Sequence, residues 1–221
     1  MLVARRPPRI KVCGITNRRD AEHAVAAGAW AIGLIFWARS PRRCEPELAV
    51  EIAAELKRRV EVVGVFVNPT LDELAATADA VGLTALQLHG DEGPSFCAEA
   101  ARRTGCKVIK AARVRSGAEI QGLAAFHTDF HLLDAHVEGV PGGTGETFAW
   151  ELARAHRGPV PLILSGGLTP ENVGHAISVV DPYAVDVASG VEAEPGRKDR
   201  SKLVAFSAAV AATGAQELSA R

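Results

Sequence analysis

Two side chains with catalytic chemistry lie at the ends of apolar segments of this 221-residue chain. Cys13 ends the segment that begins at Ile10, and Asp134 follows the run His131–Leu133, where a lone carboxyl is an unusual choice for packing. A thiol acts as a base where a nearby cation or helix N-terminus lowers its pKa from ~8.5. A carboxyl in a low-dielectric pocket has a raised pKa and acts as a general acid near neutral pH. Cys13 taken alone is more typical of a small buried hydrophobe, whereas Asp134 favours a general acid over the cap of a turn.

Two glycine-containing segments follow later apolar runs and predict a phosphate site. The first is Ser165–Pro170, which holds Gly166 and Gly167, and the second is Ala188–Glu192, which holds Ser189 and Gly190. Glycine lets the backbone approach a ligand, and a following helix offers unpaired N–H groups to an anion. Either segment alone is equally consistent with a tight turn. Asp186, inside the last apolar run, is expected to support the phosphate loop by accepting backbone N–H bonds.

Other polar positions have open interpretations. Arg42, in the turn Ser40–Arg43, carries a guanidinium that can form two parallel hydrogen bonds to a carboxylate. The sequence of this turn is equally compatible with a solvated basic loop. Gly142–Gly145 has the composition of a lid or of a third wall of a site. Lys110 suggests a Schiff-base nucleophile or a charged pocket wall. His89 is interpreted as a pocket residue without a defined task.

The elements that must position these residues form a regular pattern of alternating strands and helices. Apolar, β-branched segments begin at Ile10, Ala31, Val60, Thr84, Lys107, Phe130, Val160 and Tyr183. Helical patterns span Asp20–Ala27, Pro46–Arg59, Leu71–Ala80, Pro94–Thr104, Ala118–Ala125, Phe148–His156, Pro170–Val179 and Ser201–Ala212. Eight units of about 28 residues have the size of a strand, a helix and two short loops. The pattern predicts an α/β fold, a single (βα)8 TIM barrel.

A doubly wound open sheet is the alternative fold. It is disfavoured because no GxGxxG motif follows the first strand. The polar and glycine-rich residues also fall after strands 1, 2, 6, 7 and 8, at the end where barrel active sites are assembled. We find no linker, so residues 1–221 are expected to form one domain, with residues 1–9 as a frayed terminus rather than a targeting peptide.

Composition limits the class of partner. A formal net charge of −1 argues against nucleic acid and anionic membrane surfaces. No apolar run approaches the ~20 residues of a membrane helix. The 4 cysteines have no CxxC spacing, and no HExxH or similar ligand spacing occurs. We expect a cytoplasmic protein with reduced thiols, no metal site and no membrane partner.

Several motifs, taken together and in order, resemble the phosphoribosylanthranilate isomerase family of tryptophan biosynthesis. The resemblance extends from about Ile10 to about Phe206. The motifs are Lys11–Asn17, Ser40–Arg42, Val63–Asn68, Leu86–Gly90, Leu132–Asp134, Gly142–Gly145, Ser165–Val173 and Val185–Glu192. The combination is far more specific than any one motif.

The resemblance implies a single (βα)8 barrel that converts an N-phosphoribosyl anthranilate aminoaldose into the aminoketose by an Amadori rearrangement, without metal or organic cofactor. Asp134 is then the general acid that protonates the furanose ring oxygen, and Cys13 the general base that removes the C2′ proton. Arg42 binds the anthranilate carboxylate. The phosphate is held by backbone amides of Gly166, Gly167, Ser189 and Gly190. These roles require a raised carboxyl pKa and a lowered thiol pKa. The expected partner is a small phosphosugar, with a monomer or homodimer as the assembly.

Two positions depart from the family pattern, Ala149 where Asp is frequent and Ala188 where Ser is common. Among enzymes, the alternative is a phosphosugar aldolase or sugar isomerase that uses Lys110. Outside enzymes, it is a non-catalytic module that binds a phosphate ligand, although the joint presence of Cys13 and Asp134 argues against that.

Overall fold

The strands form the predicted closed barrel. A computed structural model describes residues 6–56, 58–113, 116–134 and 150–216. Eight parallel strands pair in chain order, and β1 closes the ring against β8. They are β1 Arg9–Cys13, β2 Ala31–Ile35, β3 Glu61–Phe66, β4 Ala85–Leu88, β5 Lys107–Arg113, β6 Phe130–Asp134, β7 Leu162–Ser165 and β8 Ala184–Val187. Each strand begins within two residues of its predicted start, which confirms the barrel over the open sheet.

Helices alternate with these strands. They are α1 Arg18–Ala26, α2 Pro46–Leu56, α3 Leu71–Val81, α4 Pro94–Thr104, α5 Gly117–Gly122, α6 Val173–Val180 and α7 Arg200–Gln216. Residues 150–153 are also helical, within the predicted helix Phe148–His156. The 3-10 turn Leu123–Ala125 follows α5.

One helix begins later than its sequence pattern predicts. The pattern starts at Pro170, whereas α6 starts at Val173. The Asn172 side chain accepts a hydrogen bond from the Thr169 N–H at 2.8 Å and donates one to the Gly167 carbonyl at 2.9 Å. These bonds fold residues 167–172 into a compact loop and delay the helix.

Strand alternation divides the apolar residues into two layers. The larger layer packs between strands and helices and includes Val12 of β1. The smaller layer fills the barrel interior, where many side chains are small because eight strands enclose little space. Its buried members are Ala31, Val63, Ala85, Ile109, Ala111, Phe130, Leu132, Ile163 and Ala184. Lys11 and Cys13 alternate with Val12, so both side chains point into this interior.

A short hairpin that the sequence analysis missed follows β8. The chain makes the 3-10 turn Ser189–Val191 and then pairs β9 Glu192–Glu194 with β10 Arg197–Lys198 in antiparallel fashion. The backbone N–H of Lys198 donates to Asp20 of α1 at 2.7 Å, and the Thr16 hydroxyl donates to the Gly196 carbonyl. The hairpin is therefore fixed against the segment that follows β1.

No helix in the described part of the chain is long and apolar enough to cross a membrane.

Candidate active site

All of the predicted site residues except Gly190 line one cavity at the carboxyl end of the barrel. Its volume is about 280 Å³. Of the predicted site residues, those that line it are Cys13, Arg42, Asp134, Gly166, Gly167, Asp186 and Ser189. They lie in, or in the loops after, five consecutive strands around the rim, in the order β6, β7, β8, β1 and β2. Residues more than 170 positions apart in the sequence thus share one polar cavity.

Cys13 lies at the bottom of this cavity. Only 6% of its surface is exposed, and a Cβ on the neighbouring Gly33 would lie 2.8 Å from the Cys13 Sγ. Glycine at that position of β2 therefore leaves room for the thiol. Lys11, two residues earlier on β1, is fully buried below it, and its Nζ lies 2.8 Å from the Asp186 Oδ1.

Asp186 makes side-chain contacts that differ from those predicted. The sequence predicts that its carboxylate accepts backbone N–H bonds from the phosphate loop. Its hydrogen bonds instead come from the Lys11 ammonium at 2.8 Å and from the Ser165 hydroxyl at 3.2 Å. The prediction is wrong because Asp186 faces the barrel interior, where Lys11 is the nearest cation. Through Ser165, the last residue of β7, it still contacts the start of the glycine-containing segment Ser165–Pro170.

The electrostatics of Cys13 also differ from the prediction. Burial raises the pKa of the Cys13 thiol, while the Lys11 and Lys198 ammonium groups act in the opposite direction. Burial dominates, so the expected lowering of the pKa is wrong for the site without substrate. Burial disfavours the charged form of Lys11 as well, but the negative charge beside it, above all that of the Asp186 carboxylate, raises the Lys11 pKa overall. The site therefore holds a neutral thiol beside a firmly charged ammonium.

This arrangement predicts a late titration of Cys13. Because a raised pKa favours the protonated form, the thiolate should form only above about pH 8.5, and kcat/KM should rise over the same interval if the thiolate is the base. The difference in ultraviolet thiolate absorbance between the wild type and Cys13→Ser measures the titration. A midpoint below about pH 8.5 would contradict the expected effect of burial.

Asp134 ends β6 beside His89, a pocket residue to which the sequence assigns no defined task. The His89 Nε2 lies 3.8 Å from the Asp134 Oδ2, and both side chains are about a quarter exposed, at 26% and 24%. The His89 Nδ1 lies 3.2 Å from the Gln87 amide nitrogen. Burial lowers the pKa of His89, although Asp134 and Asp186 oppose this. His89 is therefore placed to face Asp134 as a neutral imidazole.

The β7 and β8 loops meet closely. Gly166 and Gly167 have φ values of +95° and +64°, which favour glycine. A Cβ on Gly190 would lie 1.9 Å from the Leu168 carbonyl oxygen, so only glycine allows the two loops to touch. Gly190 thus brings the loops together, while Ser189 lines the cavity.

Arg42 is held by an acidic residue that the sequence analysis did not single out. Its Nε and Nη2 donate to the Glu192 carboxylate over 2.7–3.1 Å. The Glu192 Oε1 also accepts from the Lys198 Nζ at 2.8 Å, and that ammonium donates to the Ala188 carbonyl at 3.1 Å. Arg42 is therefore fixed in an ion-pair network rather than solvated. The signal available in the sequence was the acidic residue Glu192, shortly after the last predicted strand.

Lys110 points away from the cavity. It lies in the middle of β5, and alternation with Ile109 and Ala111 turns its side chain toward the helices. Its Nζ bonds the Glu92 carboxylate at 2.8 Å and the Gly90 carbonyl at 2.7 Å. Its position disfavours a Schiff-base nucleophile at the cavity.

Two further predictions concern residues outside the described part of the chain, the lid Gly142–Gly145 and the departure at Ala149. Ala188, the other departure, lines the cavity. In the described residues, no group of three or more His, Cys, Asp or Glu side chains is arranged to hold a metal ion.

A closed parallel barrel with a polar cavity at the carboxyl ends of its strands is the arrangement of a (βα)8-barrel enzyme. The family model described as N-(5′phosphoribosyl)anthranilate (PRA) isomerase matches residues 10–209. The chain belongs to this family and is an isomerase.

Individual relatives are similar over nearly the whole chain. The N-(5′-phosphoribosyl)anthranilate isomerase of Pseudomonas fluorescens (strain SBW25) is 52% identical over 204 residues, covering 91% of this chain and 95% of the relative. That of Geobacter sp. (strain M21) is 48% identical, covering 90% and 95%. Among solved structures, the Thermotoga maritima enzyme is 43% identical with a TM-score of 0.79, covering 90% and 96%. A second structure, in complex with reduced 1-(o-carboxyphenylamino)-1-deoxyribulose 5-phosphate, is 40% identical with a TM-score of 0.78, covering 92% and 98%.

Proposed function

We propose that this chain isomerises N-(5′-phosphoribosyl)anthranilate to 1-(o-carboxyphenylamino)-1-deoxyribulose 5-phosphate in tryptophan biosynthesis, with Asp134 as general acid and Cys13 as general base. The observation that carries the proposal is the single cavity that Cys13, Asp134, Arg42 and the two glycine loops share. Membership of the family supports the overall reaction, and the cavity supports the roles of the individual residues.

The order of groups around the rim matches the chemistry of the substrate. The β7 and β8 loops, which take the phosphate, lie between the strand of the acid and the strand of the base. Arg42 follows β2, next to the strand of Cys13, and takes the anthranilate carboxylate. The substrate is thereby held at both anionic ends, so binding of its phosphate and carboxylate positions the reacting carbons.

The acid step opens the sugar ring. The Asp134 proton passes to the furanose oxygen as the bond between C1′ and that oxygen breaks, and the nitrogen lone pair forms the C1′ iminium. Asp134 is left as a carboxylate beside His89, whose Nε2 is 3.8 Å away. The iminium makes the C2′ proton acidic without help from a cofactor.

The base step follows at Cys13, which lines the cavity above the buried Lys11. The Cys13 sulfur removes the C2′ proton, and the electrons of that C–H bond form the enolamine and neutralise the iminium nitrogen. Ketonisation then moves the hydroxyl proton from O2′ and adds a proton at C1′. Since burial raises the Cys13 pKa, the ammonium groups of Lys11 and Lys198 supply the positive charge that favours the reactive thiolate.

One experiment tests this reaction against the Lys110 alternative. Purified protein should consume phosphoribosylanthranilate, followed by the loss of its fluorescence. Borohydride added during turnover should leave the mass of the peptide that contains Lys110 unchanged, because no imine to that residue forms. If the fluorescence does not fall, the proposed isomerisation is rejected. If a substrate adduct forms on Lys110, the aldolase-type reaction through an imine to that residue is the correct one.

A further inference from the structure

The hairpin β9–β10 brings a buried carboxylate into contact with two cations. The Glu192 side chain is only 4% exposed, and it lies between Arg42 and Lys198. Its Oε1 also accepts a weak hydrogen bond from the Gly196 backbone N–H at 3.3 Å. With the hairpin anchored on the segment after β1, the position of this carboxylate is set by the scaffold rather than by Arg42.

Stability alone is a poor explanation for this cluster. Desolvation of three charged groups offsets most of their attraction, and apolar residues of similar volume commonly stabilise a protein as well or better. The ions affect one another directly. Burial lowers the pKa of Lys198, Glu192 raises it and Arg42 lowers it further. Glu192 therefore keeps two mutually repelling cations together at the edge of the cavity.

The geometry of the Arg42 pair leaves part of the guanidinium for a ligand. Glu192 engages it from the side, through Nε and Nη2. A guanidinium has five N–H groups in a fixed plane. One N–H of Nη1 and the second N–H of Nη2 therefore still point outward together and form an end-on fork. That fork matches a second planar carboxylate. Arg42 itself lines the cavity.

We propose that Glu192 is a positioning residue that sets the specificity of the site for a carboxylate on the aromatic ring of the substrate. It acts through Arg42, by holding the guanidinium so that the end-on fork faces the cavity. The proposal rests on the proposed function and adds to it the residue that fixes carboxylate recognition.

Two stable ligands separate carboxylate recognition from phosphate binding. One is reduced 1-(o-carboxyphenylamino)-1-deoxyribulose 5-phosphate, and the other is the same compound made from aniline, which lacks the ring carboxylate. The wild type should bind the first more tightly by at least about tenfold, the scale of a charge-assisted hydrogen bond. In Glu192→Gln this preference should fall below about threefold, while affinity for the aniline compound stays within about twofold. Calorimetric titration measures both.

Glu194→Gln is the matched control. It lies two residues further along the hairpin, is 62% exposed and pairs with Arg197 at 3.4 Å on the surface. It should keep the wild-type preference. A preference retained in Glu192→Gln, or an equal loss of affinity for both ligands, overturns the role of Glu192 alone. The absence of any preference in the wild type overturns the Arg42 assignment in the proposed function as well.

A second variant keeps the inference testable if Glu192→Gln fails to fold, as judged by circular dichroism. Arg42→Lys retains the positive charge but cannot form a side-on pair and an end-on fork together. It should lose the preference for the carboxylated ligand. Retention of the wild-type preference in Arg42→Lys would overturn the inference.

Discussion

Replacing Asp134 by Asn should lower kcat for phosphoribosylanthranilate by about 10³-fold while KM changes by less than about threefold. An amide has the shape of the carboxyl group, but its N–H groups are far too weakly acidic to transfer a proton. The furanose oxygen must then leave as an unprotonated alkoxide, which is a poor leaving group. Because proton transfer stabilises the transition state and not the bound substrate, its loss lowers kcat and leaves KM nearly unchanged. A 10³-fold loss corresponds to about 4 kcal/mol of transition-state stabilisation.

A matched control lies at the opposite end of the barrel. Asp129 directly precedes β6, and its Oδ2 accepts the Val108 N–H at 2.8 Å. In Asp129→Asn the remaining amide oxygen can keep that bond, and the site is at the other end of the strand, so kcat should stay within about twofold of the wild type. An Asp134→Asn variant that retains a third or more of the wild-type kcat would remove Asp134 from the role of general acid. Loss of fluorescence at saturating substrate measures both variants.

The barrel was predictable because its signals are local. Segments such as Ala31–Ile35 are apolar on both faces, as expected of strands covered by helices on one side and filled by side chains on the other. Parallel closure then brings the carboxyl ends of all strands together. Cys13 and Asp134 both lie at the carboxyl ends of strands. Once eight strand–helix units are recognised as a barrel, their presence at one cavity follows.

The features missed by sequence analysis depend on tertiary contacts. The strands of the β9–β10 hairpin are 3 and 2 residues long, too short to show a periodic pattern. The pKa of Cys13 depends on how deeply the closed barrel buries it, which no local motif contains. Lys110 is different, because alternation with Ile109 predicts its outward orientation once the bounds of β5 are known.

Cys13→Ser should lower kcat by about 10²- to 10⁴-fold, again with a small change in KM. Serine occupies nearly the same space beside Gly33, so packing is preserved. A hydroxyl, however, is a far weaker acid than a thiol, and the Lys11 and Lys198 ammonium groups that favour a thiolate cannot make an alkoxide accessible at neutral pH. The C2′ proton of the iminium then has no competent base. The variant should still bind the reduced product compound with near wild-type affinity.

Cys106→Ser provides the control for thiol replacement as such. Its Sγ contacts the Leu83 carbonyl at 3.2 Å, an interaction that a hydroxyl can reproduce, and it does not line the cavity. Its kcat should remain within about twofold of the wild type because the exchange is distant from the reacting carbons. Suppose instead that Cys13→Ser keeps a kcat within about threefold of the wild type, while Asp134→Asn loses kcat as expected. Another group then removes the C2′ proton, and Cys13 is a packing residue. Asp186 would then be the next candidate for that base, since its carboxylate lines the same cavity.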